Sequence, residues 1–407
     1  MNKTQEEKII RETELETLGT FQSEIPSIYF SDKDEASYDE YVNRHKYVYR
    51  DCFKFPPQMF HDVDLIDFGA GTGENTIFLA NWGARCTLVE MNRKAQDISR
   101  KVFEDYAIEP SAHHFIESSI FDYEPLERKL YDIVHCRGVL SHTAAKELAF
   151  SKISRFVKPG GYLIYGDPNK AGGFQNMLQR FVIYQFASTP EEIVETAEYL
   201  FHEDISRSER AIPRTRRAII FDRWVIQSQD DPSVGEVVKW VMDAGLRIYS
   251  CYPPVLYPIL GDSIHHTPRF NEYTLNNLFS VAELSWMMHT NEDQNFAAIE
   301  NGRFSELNLA LTRLSEEIAN FSKSSHLDHQ RFSELVDDTE TSIEKLVPLE
   351  LLKDKFKKFI EESKKLISIV EKNDITLVRR FIEETEHLFR GACGVRHMDL
   401  IAYRPEE

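Results

Sequence analysis

Three alternating glycines close an apolar run in Val63-Asp64-Leu65-Ile66-Asp67-Phe68-Gly69-Ala70-Gly71-Thr72-Gly73-Glu74-Asn75, and Thr76-Ile77-Phe78-Leu79-Ala80 continues from them. No other feature of the chain restricts its fold as tightly. The pattern reads as a buried strand, a tight loop and a helix. Each glycine removes a side chain where backbone must turn sharply or lie against a ligand. Backbone N–H groups at the helix start can meet a polar or anionic group. The spacing is G-x-G-x-G, with the acid Asp67 two residues before it. A dinucleotide fingerprint needs G-x-G-x-x-G, and Glu74 holds the place of its third glycine. Taken alone, the loop also fits a structural turn in another α/β fold, so the downstream residues decide.

The next strand is read at Arg85-Cys86-Thr87-Leu88-Val89-Glu90, ending in an acid 17 residues after Gly73. A carboxylate there can accept both ribose hydroxyls of a nucleoside lying across the strand ends. The competing reading is a solvated charge. Ala112 to Glu117 reads as a third strand, leading into Ser118-Ser119-Ile120-Phe121-Asp122. Tyr131-Asp132-Ile133-Val134-His135-Cys136 gives a fourth strand, followed by the loop Arg137-Gly138-Val139-Leu140-Ser141-His142. Phe156 to Gly161 makes a turn into a fifth strand, Tyr162 to Asp167.

In order and spacing these motifs resemble the class I S-adenosylmethionine-dependent methyltransferases, in particular small-molecule methyltransferases. Asp67, Gly69, Gly71 and Gly73 match the family's first motif, and Glu90 its ribose-binding acid. Tyr131 to Val134 with Gly138-Val139-Leu140 match the fourth-strand motif, and Lys158-Pro159-Gly160-Gly161 the turn before the fifth strand. The likeness runs through residues 60–167. It implies S-adenosylmethionine as cofactor and S-adenosylhomocysteine as product. The cofactor-binding set it implies is Asp67, Gly69, Ala70, Gly71, Gly73, Asn75, Glu90, Met91, Ser119, Ile120 and Cys136, although Cys136 also reads as a packed thiol. The chain departs from the pattern at Ser119, where many relatives carry an acid for the adenine amino group; Ser119 and the backbone N–H of Ile120 remain candidates. Some quinone-type O-methyltransferases hold a metal on two acids after the fourth strand. This chain has Gly138 and Ser141 there, so no metal is expected.

A chain of 407 residues, 42% hydrophobic and with 27 phenylalanines, has the material for a large core. The formal charge of −19 argues against a broad nucleic-acid footprint, which needs a basic face. Five cysteines without C-x-x-C spacing point to reduced thiols in a cytoplasm-like compartment. No signal peptide is read at the charged N-terminus, and no apolar run is long enough to span a membrane.

The expected fold is a doubly wound, seven-stranded, mostly parallel Rossmann-like α/β sheet with a lid insertion and an α-helical bundle inserted before the last strand. Residues 1–58 form an N-terminal helical cap, with Tyr29, Tyr38, Tyr41, Tyr47 and Tyr49 beside Arg44 and His45. These rings either cover the cofactor and substrate mouth or pack the helix on the sheet. Residues 59–167 are the cofactor-binding core. Residues 168–231 are a substrate lid carrying Arg207, Arg210, Arg214, Arg216, Arg217 and Arg223. Guanidinium pairs well with carboxylate or phosphate, so an anionic substrate is one reading. Glu203, Asp204, Glu209 and Asp222 in the same segment support the other, a solvated ion-pair surface.

Residues 232–269 complete the core with the helix Pro232 to Val241 and a sixth strand, Leu246 to Cys251; 393–407 hold the last strand, His397 to Tyr403. In the family these two strands are joined by a short connection. Here residues 270–392 intervene as a helical insertion. Phe304, Leu307, Leu311, Leu314, Ile318 and Phe321 alternate steps of three and four, as largely do Leu352, Phe356, Phe359, Leu366 and Val370, with Ser363 in the seam. Such stripes predict a helical hairpin or small bundle. It serves either a homodimer contact or an internal buttress. Arg-Phe-Ser-Glu-Leu recurs at 303–307 and 331–335, a thin basis for a repeat.

Methyl transfer from a sulfonium needs a nucleophile held in line, exclusion of water and sometimes removal of a proton. The candidates are His142 as base, Arg137 to orient an anionic group, and His265 and His266 after the sixth strand. Asp167 and Asn169 are expected to face the same crevice. The leading reading is methylation of oxygen or nitrogen on a small metabolite, an anionic one if the lid arginines face it. The alternatives are tRNA modification, for which the loop 136–142 has some likeness, and a non-catalytic scaffold on the same fold.

Overall fold

The computed structural model describes residues 3–25, 35–125, 129–211, 214–226, 229–254, 279–288, 301–324, 328–345, 350–390 and 394–406. Seven strands form one sheet: β1 (Asp64–Phe68), β2 (Arg85–Glu90), β3 (His114–Glu117), β4 (Tyr131–Arg137), β5 (Val157–Pro168), β6 (Arg247–Tyr252) and β7 (His397–Tyr403). Their order is β3-β2-β1-β4-β5-β7-β6. All neighbouring pairs are parallel except those of β7, which runs antiparallel to both β5 and β6. This is the expected Rossmann-like sheet.

Helices α1 (Lys3–Ser23) and α2 (Glu35–Tyr47) precede the sheet. Helices α3 (Ile77–Asn81), α4 (Arg93–Tyr106) and α5 (Lys146–Ser154) lie between its first five strands. The lid segment forms α6 (Phe174–Tyr184), α7 (Pro190–Ala211) and α8 (Arg216–Ile220), and α9 (Val234–Asp243) leads to β6. Before β7 come α10 (Phe279–Met288), α11 (Asn301–Ser324), α12 (His329–Glu344), α13 (Glu350–Val370) and α14 (Ile375–Glu384).

Both faces of the sheet are covered, which is why its inner strands are apolar almost without interruption. Alternate residues of β1 enter opposite cores. Leu65 packs with Phe78 of α3 and Phe103 of α4; Ile66 and Phe68 pack with Phe150 of α5 and Val237 of α9. Helix α9 starts two residues later than its apolar pattern suggests. Ser233 caps it reciprocally with Glu236, so Pro232 and Ser233 stay outside. Strand β5 starts earlier than expected, at Val157. The Lys158-Pro159-Gly160-Gly161 segment is a bulge within the strand, marked by a register shift against Tyr131 and Ile133. A short turn at Pro110–Ala112 delays the start of β3 to His114.

The lid helices and the helices before β7 share one apolar core. The stripe Leu307, Leu311, Leu314, Ile318 and Phe321 of α11 is buried there, as are Phe356, Phe359, Leu366 and Val370 of α13. The side chains of Phe304 and Leu352 lie outside the described residues. Ser363 is buried in the seam, where its hydroxyl donates to the Phe359 carbonyl at 2.9 Å. The stripe read as either a homodimer contact or an internal buttress faces the chain's own helices. Among the described residues no helix is long and apolar enough to cross a membrane.

Candidate active site

The glycine loop leaves β1 at Phe68, and the N–H groups of Gly69 and Ala70 donate to the Val89 carbonyl at 2.8 and 3.2 Å. Gly69, Gly71 and Gly73 all take positive φ, 70°, 54° and 74°. A Cβ on Gly69 would stand 2.5 Å from Val139 Cγ2, and one on Gly73 2.4 Å from Ser99 Oγ. The spacing read in the sequence is thus set by backbone conformation and by close packing under the loop. Gly73 packs against α4 rather than lining the cavity above.

A buried polar chain supports the loop from beneath. Asp67 accepts the Thr76 hydroxyl on one oxygen and meets His135 Nδ1 at 2.7 Å on the other. His135 Nε2 meets the Tyr49 hydroxyl at 3.1 Å. Asp67 is 2% exposed and is absent from the cavity wall among the described residues. Its place is under the loop, which corrects its expected direct contact. Cys136 is also corrected: it is fully buried in the core between β4 and the α5 side, where burial pushes its thiol up.

Above the loop lies a cavity of about 510 Å³. On the β1–β2–β3 side its wall includes Gly69, Ala70, Gly71, Asn75, Glu90, Met91, Ser119 and Ile120, eight of the eleven residues expected for the cofactor. Glu90 accepts the Gly71 N–H at 2.8 Å and the Asn92 N–H at 2.7 Å. Burial pushes its carboxyl up, and those N–H groups pull it back. Helix α1 covers this end. Glu14 of α1 accepts the Ser119 hydroxyl, and Thr17 donates to the His142 carbonyl at 3.3 Å. Phe21 sets its edge on the His142 ring at 5.5 Å. No pattern in the sequence singles out Glu14.

The tyrosines divide between the two readings. Tyr41 lines the cavity and donates to Asn75 Oδ1 at 3.0 Å. Tyr38 stacks on Tyr106 at 4.8 Å, and Tyr49 is buried; both pack the segment on the sheet. Tyr29 lies outside the described residues. His45 also lines the cavity, wedged between Tyr41 and Phe78, where burial lowers its pKa to about 4.

The β4–β5–β7 side carries the chemistry-bearing side chains. Arg137 and His142 line it as expected. Arg137 Nε donates to Asp399 Oδ1 at 2.7 Å, with its guanidinium 5.2 Å above the Phe53 ring. Burial pulls the Arg137 pKa down, but Asp399 together with Tyr49 and Tyr41 more than restores it. Arg214, Asp222, Arg396 and His397 complete this end. His397, the first residue of β7, lines the cavity; burial and Arg396 lower its pKa to about 4. His265 and His266 lie outside the described residues.

Asp167 and Asn169 do not face the cavity; both are fully buried and hold segments that do. Asp167 accepts the Leu140 N–H at 3.1 Å and the Ser141 hydroxyl at 3.1 Å, fixing the turn that carries His142. Burial raises its pKa to about 7. Asn169 donates to the carbonyls of Val395 and Arg396 at 2.9 and 2.8 Å. Most lid arginines form ion pairs: Arg207 and Arg223 with Asp204, Arg216 with Glu198 and Glu209, Arg217 with Glu24 and Glu191. Of the six, Arg214 lines the cavity, paired with Asp222 at 3.0 Å.

Arg396 was missed because it lies more than 170 residues beyond the lid arginines. A usable signal existed in the strand order. An antiparallel last strand brings its first residues to the end of β5, and His397 indeed pairs with Pro168. Among the described residues, no group of three or more His, Cys, Asp or Glu is placed to hold a metal ion.

Residues 38–203 match the family model of a methyltransferase domain. The chain is 27% identical over 107 residues to the ubiquinone biosynthesis O-methyltransferase of Vibrio atlanticus, covering 26% of this chain and 44% of that protein. It is 24% identical over 157 residues to the sarcosine/dimethylglycine N-methyltransferase of Halorhodospira halochloris, covering 37% and 54%. It thus spans about half the length of these curated relatives. Among solved structures, it is similar to the magnesium protoporphyrin IX methyltransferase of Synechocystis PCC 6803 with bound SAH, with a TM-score of 0.31 and 14% identity over 62% of this chain and 80% of that one.

Proposed function

We propose that this chain, whose residues 38–203 match the model of a methyltransferase domain, transfers a methyl group from S-adenosylmethionine to oxygen or nitrogen of a small acceptor. One observation carries the reading. The buried Glu90 carboxylate opens on the same cavity as a loop whose three glycines take positive φ. A Cβ on Gly71 would meet no heavy atom within 4 Å, so the loop leaves room for a ligand to lie against its backbone.

S-adenosylmethionine supplies a methyl carbon already activated by positive sulfur, and S-adenosylhomocysteine is left behind. The protein's own residues position and enclose. Glu90 accepts the two ribose hydroxyls, in charge-assisted bonds. Ser119 and the Ile120 backbone border the adenine. Helix α1 closes over this side and excludes water. On the opposite side the acceptor's lone pair is aligned with the methyl carbon; the new bond forms as the carbon–sulfur bond breaks, and its electron pair stays on sulfur. In this reading His142, which lines the cavity, takes the acceptor's proton, and Arg137, held by Asp399, orients the acceptor. Reduced cysteines fit a cytoplasm-like setting.

The test uses S-adenosylmethionine labelled in its methyl group, incubated with the protein and a whole-cell extract. Label in the low-mass fraction is expected. Label in RNA or protein would overturn the acceptor class, and failure to bind the cofactor would overturn the reaction.

A further inference from the structure

Among the described residues, one guanidinium in the cavity forms no ion pair. Arg396 stands immediately before β7 and lines the cavity on the β4–β5–β7 side. Among the described residues it forms no ion pair, and its Nε has no hydrogen-bond acceptor. The other cavity guanidiniums are matched: Arg137 by Asp399, Arg214 by Asp222, Arg44 by Glu40. Two carboxylates act on Arg396 from farther off, and each is engaged elsewhere. Asp222 takes Arg214 at 3.0 Å, and Asp231 takes the Gln229 amide at 3.1 Å. Arg223 and Arg214 add charge of the same sign nearby, so burial prevails and the Arg396 pKa is lowered.

The residue is also firmly mounted. The Asn169 N–H donates to the Arg396 carbonyl at 2.7 Å, and the Asn169 side chain donates to it at 2.8 Å. Both bonds tie the start of β7 to the end of β5. Arg214, beside it in the wall, likewise keeps a buried Nε without an acceptor. A firmly mounted guanidinium with no ion pair among the described residues is a receptor for an anion.

We propose that Arg396, assisted by Arg214, seats an anionic group of the methyl acceptor, a carboxylate or a phosphate. This rests on the cavity being a methyl-transfer site with the acceptor on the side opposite Glu90. Strand order supports that placement. Glu90 ends β2 and Ser119 follows β3 on one flank of β1, whereas Arg137 ends β4 and Arg396 precedes β7 on the other. The seat makes Arg396 a specificity residue, selecting acceptors that carry negative charge away from the reacting atom.

The experiment uses full-length protein saturated with S-adenosylhomocysteine. Three ring probes are titrated by ligand-observed NMR: benzoate, phenyl phosphate and neutral benzamide. In the wild type, at least one anion binds tenfold or more tightly than benzamide, and the ratio of the two anions tells carboxylate from phosphate. Arg396→Met abolishes the preference and Arg396→Lys retains part of it, while both variants keep wild-type S-adenosylhomocysteine affinity, which shows that they are folded. Equal binding of benzamide and both anions to the wild type would overturn the proposal, as would unchanged anion affinity in Arg396→Met. Absence of S-adenosylhomocysteine binding by the wild type would instead overturn the methyl-transfer reading beneath it.

Discussion

The two sides of the cavity are built by different means. The cofactor side comes from residues 69–92 and 118–121, with α1 laid across them. The acceptor side gathers Arg44 from α2, Arg137 and His142 after β4, Arg214 from the lid, and Arg396 and Asp399 near the start of β7. The first is a backbone cradle with the acid Glu90 beside it; the second is a set of side chains from four distant segments. A cradle leaves a pattern in the sequence because positive φ and close packing demand glycine at fixed spacing. A convergent wall leaves none, because its spacing exists only after the sheet has closed.

Changes on one side should leave the other nearly untouched, and the predictions test that separation. The largest effect belongs to Glu90→Ala. Losing two charge-assisted hydrogen bonds costs roughly 3 kcal/mol, about 100-fold in S-adenosylmethionine affinity by calorimetry. Asp67→Asn, acting only from beneath the loop, should cost about tenfold, near 1.4 kcal/mol. Equal losses in the two variants would break the distinction between cavity wall and support.

Gly69→Ala puts a side chain at a φ of 70° and 2.5 Å from Val139. It should destabilise the fold by about 2 kcal/mol in urea unfolding, with part recovered by adding Val139→Ala. No recovery would mean that backbone strain alone sets the requirement for glycine.

The third prediction concerns the acceptor side and pH. The folded state holds the Asp167 proton to about pH 7, whereas an ordinary aspartate releases it near 3.8. A folded pKa raised above the unfolded one means the folded state binds more protons between these values. This contribution therefore weakens as pH climbs from about 4 to about 7 and is level above, with a slope of at most about 1.4 kcal/mol per pH unit. Asp167→Asn should flatten that slope in urea unfolding across the same range. A slope identical to wild type would show that other buried acids, such as Glu283, account for it.

The smallest effect is expected for Tyr41→Phe. Removing the hydroxyl that meets Asn75 at 3.0 Å costs about 1 kcal/mol, roughly fivefold in cofactor affinity. A loss as large as that of Glu90→Ala would show that α2 dominates the cofactor side.

The sheet was legible because its strands carry two-sided apolar runs and its loops carry Gly69, Gly71, Gly73 and Glu90 in register. Strand β7 was readable at the far end of the chain because Met398 to Ala402 is apolar throughout. What could not be read was the direction of single polar side chains. Asp67, Asp167 and Asn169 have the right positions to face a ligand, yet each turns to satisfy buried backbone or side-chain donors and acceptors. The lid arginines were conspicuous in the sequence, but charge density does not reveal pairing. Most are neutralised by acids on or beside α7, while Arg396 lines the cavity and forms no ion pair among the described residues.

The central claim is that the Glu90 side of the cavity binds S-adenosylmethionine. Calorimetric titration of the purified full chain with S-adenosylmethionine and S-adenosylhomocysteine tests it most directly, with Arg396→Met run in parallel. The account predicts one site of micromolar affinity, about −8 kcal/mol, for each compound and in both proteins. No binding to the wild type, or binding lost in Arg396→Met as fully as in Glu90→Ala, would contradict it.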